Sequence, residues 1–237
     1  MSHKKYIYLF ITLLILLYSF NSSYVFGEMF LGNSYSGDTI RESQILYNGK
    51  VWRNMYTNVK GDQFLFAKIY LPGSVSMNGT SFKDLNINYD IYNDEITIPK
   101  NNGAILQLNK EMVDSFTLDY NFKTYRFINT DADSLEGIKG FVNVLYKGKS
   151  ALYVKYKKQI DLLAVDEKYD LFFQIYKIYL VKEGKVYQIT GKSDLLKVLE
   201  KDKVNIKTFM KKNGLRVSKK SPESFIPIIR YYDSLSQ

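Results

Sequence analysis

From residue 51 to residue 190, short apolar runs alternate with turn-forming residues, a pattern typical of a β-sheet protein. Residues 85–91 show it most clearly, with Leu, Ile or Tyr at the odd positions and Asn or Asp at the even ones. A period of two with polar residues opposite predicts a strand that buries one face. Tyr, Val, Ile and Phe dominate the other runs as well, as a pleated surface prefers.

Turn sequences separate these runs. Asn78-Gly79 is the strongest short hairpin-forming sequence, and Pro72-Gly73 predicts the end of a strand over residues 68–71. Connections this short predict antiparallel pairing of neighbouring strands. The other predicted turns lie at Asn93-Asp94, 101–103, 147–149 and 183–184.

At Gly191 the apolar period changes from strand-like to helical. Ser193 is a candidate cap for a first amphipathic helix. Asn205 is a candidate cap for a second, which Asn213-Gly214 would end.

A third helix is predicted to start at Ser221-Pro222, because proline suits the first helical position. Pro227 follows inside the same apolar pattern and would either kink the helix or move its start. Helices this short need a partner surface, and the sheet is the obvious one.

The order of elements predicts an α+β fold that is mostly antiparallel β. We expect a meander-type curled sheet or a partly closed barrel, followed by about three short C-terminal helices. The predicted organisation is a signal peptide over residues 1–27, an antiparallel β-rich domain over 28–190, and a helical unit over 191–237 that packs on the sheet.

The signal peptide is predicted from Lys4 and Lys5, which precede an apolar run over residues 6–18. That run is shorter than the roughly 20 residues that span a bilayer. Val25 and Gly27 suit a cleavage site, so we place the cut after Gly27. An uncleaved N-terminal anchor is the alternative. Either way the protein is expected to be exported.

Two residue types are missing from the predicted mature chain. The sequence has no cysteine, and its one histidine, His3, lies in the signal peptide. Ser-His-Asp and Cys-His catalysis are therefore excluded, as are zinc sites of thiolates or imidazoles. We predict that the protein is not an enzyme and has no cofactor, metal or catalytic residues.

Two tripeptides resemble the end of a phosphate-binding loop. Gly148-Lys149-Ser150 and Gly191-Lys192-Ser193 lack the glycine five positions earlier, where Asn143 and Val186 stand. Both are interpreted as turns.

Carboxylates offer weaker candidates. Residues 129–133 place side-chain oxygens at alternate positions with Glu136 close by, as a calcium loop would. Ser134 and Gly140 break the EF-hand pattern, so an ordinary polar loop is favoured. A glycosidase pair that includes Asp94 or Glu95 is a further alternative, but no spacing supports it.

Charge is distributed unevenly. Residues 28–138 hold 10 basic and 14 acidic residues, whereas residues 139–220 hold 20 and 8. The basic segment predicts an anionic partner: an envelope protein, an acidic glycan or a membrane surface. Export argues against nucleic acid, and a solvated lysine-rich face is the simpler alternative. Five strand tyrosines in this segment are candidates for a ligand platform: Tyr146, Tyr153, Tyr156, Tyr176 and Tyr179.

The chain from Tyr187 onward resembles a recurring C-terminal sequence, carried by residues 187–190, 192–199, 209–215 and 229–235. Together with residues 89–95, it resembles a group of exported, uncharacterised proteins of Bacteroidetes-type Gram-negative bacteria, which have a β-rich body and C-terminal helices but no established activity. The resemblance implies a Gram-negative envelope, hence the periplasm or the outer-membrane surface.

The sequence therefore predicts an exported, non-enzymatic envelope protein with a binding or assembly role. A soluble-ligand binder for glycan or lipid is the alternative, and a carboxylate-dependent hydrolase is a weaker third.

Overall fold

The structure, a computed structural model, describes residues 44–131 and 135–235. The predicted signal peptide lies outside the described residues. These described residues belong to one compact unit. Its strands are β1 (Gly49–Val51), β2 (Leu71–Met77), β3 (Thr80–Asp90), β4 (Glu95–Pro99), β5 (Ile105–Leu108), β6 (Val113–Tyr120), β7 (Lys123–Asn129), β8 (Phe141–Lys147), β9 (Ala151–Val165), β10 (Tyr169–Lys182) and β11 (Lys185–Ile189). Its α-helices are α1 (Lys192–Val198), α2 (Lys203–Lys212) and α3 (Ile226–Leu235).

The eleven strands form one antiparallel, curled and unclosed sheet, followed by the C-terminal helices. The predicted α+β class with mostly antiparallel β is confirmed. The strand order is β1-β5-β4-β3-β2-β6-β7-β8-β9-β10-β11. The sheet is therefore a meander from β6 to β11, whereas β2 and β1 pair with the non-consecutive strands β6 and β5.

Local turn chemistry sets most of the hairpins. Asn78 and Gly79 both take positive φ, 49° and 79°, as the tight turn between β2 and β3 requires. Asp94 takes a φ of 62° between β3 and β4. The turns predicted at these residues, at 101–103, at 147–149 and at 183–184 are confirmed.

The turn predicted at Pro72-Gly73 is wrong, because both residues lie inside β2. Pro72 pairs with Asn86 of β3, and the ladder to β6 begins one residue later. A side chain at Gly73 would collide with the Thr117 carbonyl of β6. The glycine therefore permits close strand approach rather than chain reversal.

The sheet curls around a core of aromatic side chains. Tyr89 of β3 and Phe141 of β8 have ring centroids 5.9 Å apart, although three strands separate them in the sheet. In a flat sheet, that separation would be about 19 Å. Phe116 and Phe127 stack at 4.6 Å within the same cluster. The concave face is thus filled with side chains.

The polar side of β3 is less exposed than the alternating pattern predicts. Asn88 and Asp90 are buried. Asp90 accepts hydrogen bonds from the backbone N–H groups of Tyr92 and Asn93, so its burial serves the turn that follows.

The helices cover the concave face at the β8–β11 end. Their buried side chains pack on strand residues such as Val154 and Ile178. The helical residues in this cluster are Leu195, Leu196, Leu199, Ile206, Met210, Phe225, Ile228, Ile229 and Tyr232.

The predicted helix caps are wrong at two positions. The first helix begins after Gly191, and Ser193 lies within it. The second begins after Asp202, so Asn205 falls in its first turn. Its end at Asn213 is as predicted, with Gly214 at a φ of 61°.

Pro227 moves the start of the third helix. Pro222–Phe225 forms a 3-10 turn, and α3 begins at Ile226. This leaves Pro227 in the first helical turn, where its missing N–H costs no hydrogen bond.

Residues 60–65 connect β10 to β3 across the curled sheet. Lys60 exchanges backbone hydrogen bonds with β10 at Asp170 and Phe172. The backbone N–H of Leu65 donates to the Tyr89 carbonyl of β3. The N–H of Lys158 in β9 also donates to the Ile91 carbonyl, 3.2 Å away.

Candidate binding surface

The outer, convex side of the β9–β10 hairpin carries a cluster of lysines. Lys155 and Lys177 are directly opposite each other in the two strands, and Lys157 lies opposite Ile175. Lys139 joins them from the segment before β8. Together these side chains line a groove of about 210 Å³. We call Lys139, Lys155, Lys157 and Lys177 the lysine face.

The lysine face ends where an apolar layer covers the same side of the sheet. Ile138 is buried there against Val142, Ala151 and Tyr153. Beyond that layer, Phe173 on the same side of β10 is 39% exposed. The face therefore combines positive charge with accessible apolar surface.

Lys155 is the only member of the lysine face with an ion-pair partner among the described residues. Its Nζ lies 2.9 Å from Asp94 Oδ1. Within residues 44–131 and 135–235, no carboxylate lies within 4.0 Å of the ammonium groups of Lys139, Lys157 or Lys177. Directly opposed like charges destabilise a strand pair, so this arrangement favours an external anion.

Asp94 is the centre of a polar cluster behind the lysine face. Its carboxylate accepts hydrogen bonds from the Tyr89 hydroxyl at 2.5 Å, from Lys110 Nζ at 2.7 Å and from the Phe141 backbone N–H at 3.3 Å, besides Lys155. The cluster holds the β3–β4 turn against the start of β8 and against β9.

The pKa values of this cluster follow from burial and charge. Burial acts to raise the pKa of Asp94, but the Lys155 charge and the Lys110 hydrogen bond outweigh it and hold the pKa below its usual value. Burial lowers the pKa of Lys155 despite the Asp94 charge. The pKa of the less buried Lys110 is raised, because Asp94 and Asp131 together outweigh its burial.

The five candidate tyrosines do not form one platform. Tyr146, Tyr156 and Tyr176 pack with the concave, helix-covered core, where burial raises the pKa of Tyr156 above its usual range. Tyr153 and Tyr179 lie on the convex side, Tyr153 buried and Tyr179 half-buried in the lysine groove. Of the five, Tyr176 and Tyr179 line the lysine groove, and Tyr179 lies on the convex side of the sheet.

In the candidate calcium loop, the side-chain oxygens of Asn129, Thr130 and Asp131 have protein partners. The Asn129 side-chain amide donates to the carbonyls of Lys110 and Val113. Asp131 accepts from the Gly140 N–H and pairs with Lys110 at 3.4 Å. Asp133 and Ser134 lie outside the described residues. In the part of the chain that the structure describes, no group of three acidic residues is arranged to hold a metal ion.

The two tripeptides that resemble phosphate loops differ in structure. Residues 148–150 form the turn between β8 and β9, as predicted. Residues 191–193 form the start of α1, so their interpretation as a turn is wrong. The glycine that a phosphate-binding loop needs five positions earlier is replaced by Asn143 before the first tripeptide and by Val186 before the second.

Two open grooves lie near the β1 edge of the sheet, and the sequence pattern does not predict them. One has a volume of about 760 Å³ and is lined by polar residues that include Asn109, Glu111 and Asp131. The other, of about 390 Å³, contains Trp52 and Glu95. Lys50 and Gln107 line both.

Comparison with known proteins gives no relative: no family model, no curated protein and no solved structure matches the chain. Across residues 44–131 and 135–235, no helix has the length and apolar character needed to cross a membrane.

Proposed function

We propose that this chain is an exported, non-enzymatic protein of the cell envelope, in the periplasm or at the outer-membrane surface. Its role is binding or assembly, and its working surface is the lysine face. The partner that fits this surface best is an envelope protein with an acidic patch.

The observation that carries the proposal is the set of unpaired lysines beside exposed apolar side chains. Lys139, Lys157 and Lys177 have no carboxylate within ion-pair distance among the described residues, and Phe173 is accessible on the same side. Protein interfaces combine an apolar centre with a charged rim. Lysines that served only to keep the protein in solution would not require exposed apolar side chains beside them.

The filled concave face supports surface binding over ligand storage. Tyr89, Phe116, Phe127 and Phe141 occupy the space that a lipid carrier would leave open, and all are at most 1% exposed. The export predicted from residues 1–27 restricts the partner to molecules outside the cytoplasm, which argues against nucleic acid.

Fractionation of cells that carry a C-terminally tagged full-length chain tests the location and the partner together. We expect the tag in the periplasmic or outer-membrane fraction, and crosslinking followed by mass spectrometry should recover an acidic envelope protein. A tag found wholly in the cytosol would overturn the proposal. Recovery of only an acidic glycan would keep the surface and reject the protein partner.

A further inference from the structure

The groove at Trp52 combines one large aromatic side chain with a ring of planar polar groups. Trp52 follows β1, and its backbone N–H donates to the Ile105 carbonyl at 2.9 Å. Its ring lies 6.0 Å from that of Phe64, which is buried. These contacts hold the indole at the wall of the groove while part of it stays accessible.

Glu95 and Gln107 provide the polar floor. Gln107 sits on β5 between Lys50 of β1 and Thr97 of β4. Glu95, the first residue of β4, lies two positions before Thr97 on the same side of the strand, and the Gln107 amide acts to lower its pKa. Burial and the nearby charge of Asp90 raise the pKa of Glu95. Cross-strand pairing thus fixes an amide and a carboxyl group side by side.

The opposite side of the groove is also fixed by contacts. The Tyr56 hydroxyl donates to Asn93 Oδ1 at 3.1 Å. The Tyr56 ring meets Tyr92 and Phe172 edge-on, with centroids 5.0 and 5.6 Å away. Arg53 adds an exposed guanidinium.

We propose that this groove binds a neutral saccharide, with the C–H face of a sugar ring on Trp52 and its hydroxyls bonded to Glu95, Gln107 and Asn93. Amide, carboxyl and guanidinium groups present pairs of donors or acceptors that match neighbouring hydroxyls. A volume of about 390 Å³ lies within the range of small-molecule sites.

Charge and shape favour a neutral sugar over other ligands. Lys50, Arg53 and Glu95 leave the lining with almost balanced charge, so a polyanion gains little there. The groove is open, and its polar side chains stand beside the Trp52 and Tyr56 rings and the exposed Val51 and Met55, whereas an acyl chain needs an enclosed apolar tunnel. The larger groove of about 760 Å³ shares Lys50 and Gln107 with this one and gives room for further sugar units.

The site is separate from the lysine face, and neither proposal depends on the other. Glu95 is the one acidic side chain among the described residues that line the smaller groove, so this groove binds a sugar without the carboxylate pair that glycoside hydrolysis uses.

Trp52 is the only tryptophan in the sequence, so its fluorescence reports on this groove alone. The probes are neutral oligosaccharides of glucose, mannose, xylose and N-acetylglucosamine. At least one is expected to give a saturable change in emission. Glu95→Gln keeps the shape of the side chain and should weaken binding roughly tenfold, because a hydrogen bond to a carboxylate becomes a weaker neutral one.

Glu183→Gln is the matched control, since it makes the same charge change at an exposed turn between β10 and β11. It should leave the titration unchanged, as should Lys157→Gln on the lysine face. The proposal is overturned if no probe changes the emission up to about 10 mM, or if Glu183→Gln weakens binding as much as Glu95→Gln. Failure of this titration leaves the lysine-face proposal standing.

Discussion

Lys155 Nζ donates a 2.9 Å hydrogen bond to Asp94 Oδ1, across 61 residues of sequence. This contact joins the turn between β3 and β4 to the middle of β9, where the sheet curls back on itself. Lys155 is thereby the one lysine of its face whose charge is balanced from within the described structure. The Asp94 cluster supports the surface from behind, and the remaining lysines are free to meet a partner.

Replacing Asp94 by Asn should destabilise the fold by about 3 kcal/mol, because the largely buried Lys155 and the partly buried Lys110 lose their counter-charge. Urea unfolding at neutral pH measures this change. Asp84→Asn is the control: Asp84 is exposed and also has a positive φ, 54° against 62° for Asp94. Equal effects of the two substitutions would reject a stabilising role for the Asp94 cluster.

The contribution of Asp94 should depend on pH in a defined direction. Because the folded-state pKa of Asp94 lies below its usual 3.8, the unfolded chain takes up this proton first as the pH falls. The stability from the Asp94 charge is then fully present above about pH 5 and is lost progressively as the pH falls from about 4 through the lower folded-state pKa. We expect the difference in the free energy of unfolding between the wild type and Asp94→Asn to become smaller from pH 7 to pH 3. A constant gap would contradict this account.

Gly140 should tolerate no side chain. It has a φ of 75°, and an added methyl group would collide with Asp94 Oδ2. Gly137 also has a positive φ, of 100°, but its added methyl group would meet open space. Both Gly→Ala changes carry backbone strain of about 1 kcal/mol, and Gly140→Ala should cost at least twice as much because it also disturbs Asp94. Thermal melting of the two variants compares them directly, and equal melting temperatures would show that the Asp94 contact adds nothing.

The C-terminal helices should behave as part of the folding unit. Ile229 of α3 is fully buried against the sheet, so Ile229→Ala should cost about 3 kcal/mol in one cooperative unfolding transition. Val204→Ala in α2 removes an exposed side chain, 76% accessible, and should change stability by less than about 0.5 kcal/mol. A separate early transition in the Ile229 variant would indicate that the helices unfold independently of the sheet.

The sequence correctly predicted those elements whose conformation depends on neighbouring residues in the chain. The Asn78-Gly79 turn and the end of α2 depend on backbone conformations that only a few residue types adopt. The turn predicted at Pro72-Gly73 is wrong because Gly73 instead allows β2 and β6 to approach closely. That requirement comes from Thr117 of β6, which is 44 positions away in the sequence. The pairing of β2 with β6 depends likewise on distant contacts that no short pattern contains.

The candidate sites were less predictable than the fold. Excess positive charge in residues 139–220 indicated a basic surface, but only strand pairing shows that Lys155, Lys157 and Lys177 share one side. The same pairing divides the tyrosines between two faces. The Trp52 groove gathers residues from 52, 95 and 107, which lie in separate elements with no common motif.

The central claim is that the lysine face binds an acidic envelope partner, and crosslinking of paired variants in intact cells tests it most directly. Lys157→Gln/Lys177→Gln removes two charges from the face, whereas Lys192→Gln/Lys207→Gln removes two from exposed positions on the helices. We expect partner crosslinks to fall at least tenfold in the first variant and to persist in the second, at equal protein abundance. Equal crosslinking of the partner by both variants would contradict the claim.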